Sequence, residues 1–179
     1  MKTYFLIFPI LMTLYQCKTT TSIQDATPSG LTLATEKLER DTIPKVVGIG
    51  GIFFRSENPV AVREWYSQNL GMEVNEYGSL FEVRNAKRPE EINYLQWSPF
   101  NEKTTYFDPS KKEFMINYRV QNIEGLVRKL KENNVVVLDS IEVYEYGKFV
   151  HIMDAEGNKI ELWEPIDHVF TEMGGSTTK

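Results

Sequence analysis

Cysteine is almost missing from this sequence. A single one, Cys17, occurs in 179 residues, so no internal disulfide can form whatever the compartment. Histidine is nearly as scarce. Of the two, His151 lies within the predicted strands and His168 beyond the last of them, which leaves too little imidazole for the usual transition-metal site. Positive charge is not in excess: a net charge of −5 and an isoelectric point near 5.2 give no support to nucleic acid or an anionic membrane surface as partner. Small neutral or anionic ligands remain open. Long hydrophobic runs are also lacking, and the longest, Tyr4 to Tyr15, has about a dozen residues against the ~20 that cross a bilayer as a helix.

That run follows Lys2 and has the length of a signal-peptide core, so residues 1–17 are read as a signal peptide. Leu14-Tyr15-Gln16-Cys17 resembles the lipobox of bacterial lipoproteins, which implies lipidation of Cys17, export, and anchoring to a membrane by lipid. Tyr15 and Gln16 are bulkier than that pattern usually carries, and a stray or buried thiol is the plainer alternative. Residues 18–45 are rich in Thr, Ser, Pro and charge, with too few apolar groups to offset chain entropy, and read as a polar tether. Residues 46–166 are read as the folded domain, and the 41% hydrophobic content of the whole chain is ordinary for a fold with a proper core. Residues 167–179 are expected to be a disordered tail.

Within the domain, Val46 to Arg55 reads as a strand, and Gly48, Gly50 and Gly51 suggest a bulge or close backbone approach. Asn58-Pro59 opens a helix with Val62, Trp65, Tyr66 and Leu70 on one face, and Gly71 ends it. Strands are predicted at Met72–Tyr77, Ser79–Arg84 and Ile92–Trp97. The same order then recurs: a strand at Phe114–Val120, a helix capped by Asn122 with Ile123, Leu126, Val127 and Leu130 as its stripe, and strands at Val135–Val143, Lys148–Met153 and Lys159–Trp163. Phe54-Arg55, Asn58 and Asn69 match Tyr118-Arg119, Asn122 and Asn133 at a fixed offset, and Trp97-Ser98-Pro99 matches Trp163-Glu164-Pro165. The chain therefore reads as an α+β fold of two tandem βαβββ modules, about 46–99 and 113–165. Each helix lies outside, and the eight strands form a cup.

The most informative stretch is the hairpin from Phe149 to Pro165, turning at Asp154 to Asn158. Period 2 separates Ile160 and Leu162 from Lys159, Glu161 and Trp163, and sets His151 on the strand facing Glu161. A solvated sheet face with one ion pair is the bland alternative.

Residues 47–165 resemble the vicinal oxygen chelate superfamily, which includes glyoxalase I, bleomycin-resistance proteins, fosfomycin-resistance enzymes and extradiol dioxygenases. The resemblance rests on Asn58-Pro59 through Trp65-Tyr66, on Leu70-Gly71-Met72, and above all on Asp154 through Trp163. It implies a cup closed within one chain or across a homodimer. It does not name an activity, because many chemistries share the fold. Metal-dependent members use four positions, which fall here on Gly51, Met115, Leu95 (or Gln96 with a one-residue shift) and Glu161. Only Glu161 is a ready ligand, so no cofactor is expected and a divalent metal is disfavoured. A noncanonical site from Glu82, His151 and Glu161 stays open beside a hydrogen-bonded polar cluster.

If the face of the ligand positions points inward, Phe53, Arg55, Glu82, Arg84, Trp97, Asn117, Arg119 and Trp163 line the cup around Glu161 and His151, and Tyr144 to Gly147 supply a lid or rim. Paired arginines with aromatic walls suit a small organic molecule bearing an oxyanion. Structural ion pairs from Arg55 and Arg119 to Glu57 or Asp154 are the alternative. Two functions follow: a metal-free binding domain, or a lyase or isomerase in which Glu161 and His151 move a proton.

Overall fold

In the computed structural model, residues 42–86 and 88–179 are described. The signal peptide, Cys17 and residues 18–41 of the tether lie outside them. Among the described residues are eight strands: β1 (Lys45–Ser56), β2 (Ser79–Arg84), β3 (Ile92–Asn101), β4 (Phe114–Gln121), β5 (Val136–Val137), β6 (Glu142–Tyr144), β7 (Gly147–Met153) and β8 (Lys159–Pro165). The same residues include three helices: α1 (Pro59–Leu70), α2 (Ile123–Glu132) and α3 (Asp167–Met173).

One sheet holds all the strands in the order β2-β3-β1-β4-β8-β7-β5, with β6 also pairing to β7. The two modules meet where β1 runs antiparallel to β4, and each half is arranged outward from that seam as a mirror of the other in strand order. The α+β reading and the paired modules are thus correct.

Helices α1 and α2 cover one face. Asn122 and Asn58 cap them, each side chain accepting from the backbone N–H three residues on, and Gly71 closes α1 in the left-handed region. Under α2 the predicted stripe is buried: Ile123, Leu126 and Val127 pack on Val120, Val150, Ile152 and Leu162, the main core. Under α1 it is not. Trp65 and Leu70 are more than half exposed, and the helix meets the sheet mainly where Tyr66 packs on Trp97.

Three expectations need correction. Met72–Tyr77 is no strand, because Asn75 turns the chain, its side-chain oxygen accepting from the N–H groups of Tyr77 and Gly78. Val135–Val143 is two short pieces, β5 and β6, separated where Asp139 leaves the ladder. The Asp139 carboxylate takes over the backbone N–H of His151 at 2.7 Å. Residues 167–179 are ordered rather than a loose tail. After α3, Thr178 pairs with β2 beside Phe81, donating to Leu80 O and accepting from Glu82 N. The tail thereby supplies an edge partner to β2 in the module whose fourth strand is missing.

Candidate functional site

The face opposite α1 and α2, the inner face, carries the polar residues. Across it the register runs Gln96–Gly51–Asn117–Glu161–His151, one residue from each of β3, β1, β4, β8 and β7. The seam is tight. A β-carbon at Gly50 would lie 2.2 Å from Asn117 Oδ1 and 2.7 Å from the Trp163 ring, so only glycine lets those side chains lie flat against β1. The predicted bulge is real, with register shifts on both sides of Gly48 to Ile49.

Glu161 is the centre of the first cluster and is 3% exposed. Asn117 Nδ2 donates to one of its oxygens at 2.6 Å; the other accepts from Tyr106 and lies 3.2 Å from His151 Nε2. The opposite ring nitrogen of His151 is 2.6 Å from Asp139 Oδ2. An imidazole is thus held between two carboxylates. Burial pushes the His151 pKa down, but the hydrogen bond and charge of Glu161, with Asp139 behind, outweigh it and hold the ring above its ordinary 6.5. Burial and the Glu161 charge drive the Tyr106 phenol strongly upward, so it stays a neutral donor.

Tyr106 comes from the 102–112 linker between modules, to which sequence reasoning assigned no role. Lys159 Nζ donates to Tyr106 O at 2.7 Å, Ser110 donates to Gly157 O at 2.6 Å, and Phe107 is fully buried against Phe53 and Met115. Arg55 donates to Glu102 O and Thr104 O and lies over the Phe107 ring. Arg55 therefore pins the linker. It does not form a clamp with Arg119, which pairs with Gly48 about seven residues along β1, on the order of 20 Å away at ~3.3 Å per residue.

Arg119 and Trp163 make the second cluster. Arg119 is 5% exposed, donates to Tyr94 O at 3.1 Å, pairs with the Asp167 carboxylate, and has its guanidinium carbon 5.1 Å from the Trp163 ring centre. Trp163 stacks on Phe149 and donates to Tyr146 O, within the Tyr144–Gly147 segment. Ion pairs do form at both arginines, though with Asp108 and Asp167 rather than Glu57 or Asp154.

Trp97, Glu82 and Arg84 fall elsewhere. Trp97 pairs with Ile52 and packs on Phe54 and Tyr66 beneath α1, on the outer face. Aligning the modules through the two Trp-x-Pro endings was wrong by an odd number of residues, and a slip of one turns every side chain over. Leu95 shares that outer parity, so Gln96 and Ser98 are the inward residues there. Glu82 lies on strand β2 at the sheet's end, with four strands between it and the strand of His151, and is engaged by Thr177 and Lys179; Arg84 is exposed beyond it.

The metal of the superfamily does not fit these residues. Gly51 and Met115 have no ligand atom suited to it, Glu82 is remote, and Asp139 and Glu161 bond opposite nitrogens of His151. Among the described residues no three His, Cys, Asp or Glu side chains converge on a common point.

No family profile and no curated protein matches this sequence. Solved structures do match in shape. A Streptomyces coelicolor methylmalonyl-CoA epimerase variant in complex with 2-nitronate-propionyl-CoA superposes with a TM-score of 0.51 at 16% identity, over 68% of this chain and 96% of that one. Methylmalonyl-CoA epimerase from Mycobacterium tuberculosis gives 0.48 at 21% identity, covering 69% and 91%. A glyoxalase/bleomycin resistance protein/dioxygenase superfamily member from Vibrio splendidus gives 0.42 at 15%, covering 68% and 99%. At such identities the likeness is one of fold. The molecule is an α+β protein of two paired modules sharing one sheet. Its fold is the one seen in the Streptomyces coelicolor methylmalonyl-CoA epimerase structure, and it agrees with the resemblance read from the sequence.

Proposed function

We propose that this is an exported, lipid-anchored domain that binds a small organic molecule, aromatic and carrying an oxyanion, without the superfamily's metal. The observation that carries this reading is Arg119. A guanidinium at 5% exposure, over the face of an indole that itself stacks on Phe149, and bonded to Tyr94, is a recognition element for a carboxylate-like group on an apolar body. Glu161, by contrast, is already saturated by Tyr106, Asn117 and His151, which suits a carboxylate that holds the linker down. Anchoring through Cys17 and the tether, which would display the domain on a membrane surface, rests on the sequence alone.

A second reading is favoured by a specific feature, the Asp139–His151–Glu161 chain. A carboxylate hydrogen-bonded to an imidazole that another carboxylate orients is a competent proton acceptor, for an isomerase or lyase acting next to a carbonyl, once Tyr106 swings away. Glu161→Ala separates the two. Under the binding reading the variant still shifts its melting temperature with aromatic acids and has no turnover to lose. A ligand converted by the native chain and only bound by the variant would establish the catalytic reading instead. Cys17→Ser should move the protein from the membrane to the soluble fraction; unchanged partition ends the anchor.

A further inference from the structure

The inner face is closed at its Arg119 end by the chain's own terminus. Asp167 and Phe170, three residues apart on α3, lie on one side of it. The Asp167 carboxylate takes the Arg119 guanidinium, while the Phe170 ring stands edge-on to Trp163 at 5.7 Å and against Tyr94 at 5.4 Å. Tyr94 and Thr171 share a hydroxyl hydrogen bond of 2.8 Å. A carboxylate and a benzene ring are thus seated where the sequence led us to expect a small organic ligand bearing an oxyanion.

The seat is built and its occupant is lightly held. Arg119, Tyr94 and Trp163 are 5% exposed or less, whereas α3 has no buried residue, spans 7 residues and has no side-chain cap at its start. A helix that short has little stability of its own. Gly174 and Gly175, both at positive φ, separate it from Thr177 and Thr178, which latch separately onto Glu82 and Ser79 of β2. Half of the Asp167 carboxylate is spent, too, on nothing: its Oδ1 is buried without a partner.

We infer that α3 is an intramolecular stand-in for the ligand, and that the Arg119–Trp163–Tyr94 seat takes an arylalkyl carboxylate when α3 swings out on Gly174–Gly175. This deepens the binding reading above and rests on it. The carboxylate is the required part. Lifting Asp167 away leaves a buried guanidinium uncompensated, so a neutral aromatic cannot replace α3 whereas an acid exchanges one ion pair for another. Affinity in the native chain is reduced by the fraction of molecules in which α3 occupies the seat.

The test is titration of the full chain with 3-phenylpropionate, read by tryptophan fluorescence, against a variant carrying Asp167→Asn and Phe170→Ala. The variant should bind roughly tenfold or more tightly than the native chain. It should prefer the acid over 3-phenylpropanamide, and Arg119→Leu should erase that preference. Equal affinity in both chains, or an amide as good as the acid, overturns the inference. Should the double variant fold poorly, hydrogen exchange of the native chain decides. Saturating 3-phenylpropionate should speed exchange across residues 167–173, and unchanged or slowed exchange there counts against displacement. A small molecule that stabilises the native chain with α3 still seated would leave the binding function standing and refute only the stand-in.

Discussion

His151 sets the pH behaviour of the fold. Its folded pKa is raised above 6.5 by Glu161 and Asp139 in spite of burial, so the folded state binds the proton more tightly than the unfolded chain. The stabilisation is therefore full below about pH 6.5. It is lost as pH climbs through the raised value. We expect the melting temperature of the native protein to fall over that window, and His151→Gln to flatten the slope; a native profile that rises with pH there would mean the imidazole is neutral. The pairing of His151 with Glu161 was legible, because a hairpin fixes its own register and period 2 does the rest. Asp139 and Tyr106 were not. One comes from a break in an edge strand and the other from the linker between modules, and neither position carries a local pattern that points at Glu161.

Among the elements, strand β1 is the most constrained. Gly50 allows Asn117, Arg119 and Trp163 to lie on the backbone, and a β-carbon there would overlap three side chains at 3.0 Å or less. Gly50→Ala should cost about 1–3 kcal/mol in denaturant unfolding, the usual penalty for overpacking. A variant as stable as the native chain would mean the seam is looser than drawn. The glycines near β1 were visible as a close approach, and α2 was legible in full from its stripe and its Asn cap. What misled was symmetry. Trp97 and Trp163 share a Trp-x-Pro ending, yet β3 and β8 differ by an odd number of residues relative to the seam, so one indole supports α1 and the other lines the inner face. The tail misled by composition: Gly174 to Thr178 is polar and small, but Thr178 meets the free edge that β2 retains because Asn75 turns the chain back.

On the scale of the whole molecule, the pairing of two like modules explains the architecture. Two modules joined at the β1–β4 seam present equivalent inner faces. The positions that the resemblance assigns to metal ligands are Gly51 and Gln96 in the first and Met115 and Glu161 in the second. The linker has moved into the space at one end, with Phe107 as its plug, and α3 closes the other. What is left is a guanidinium in an aromatic frame.

The most direct test is calorimetric titration of chelator-treated protein, its metal content measured beforehand, with an arylalkyl carboxylate such as 3-phenylpropionate. We expect saturable binding at one site per chain with no metal present, and its loss in Arg119→Leu. Binding that appears only after a stoichiometric divalent ion is restored, and survives Arg119→Leu, would contradict the account.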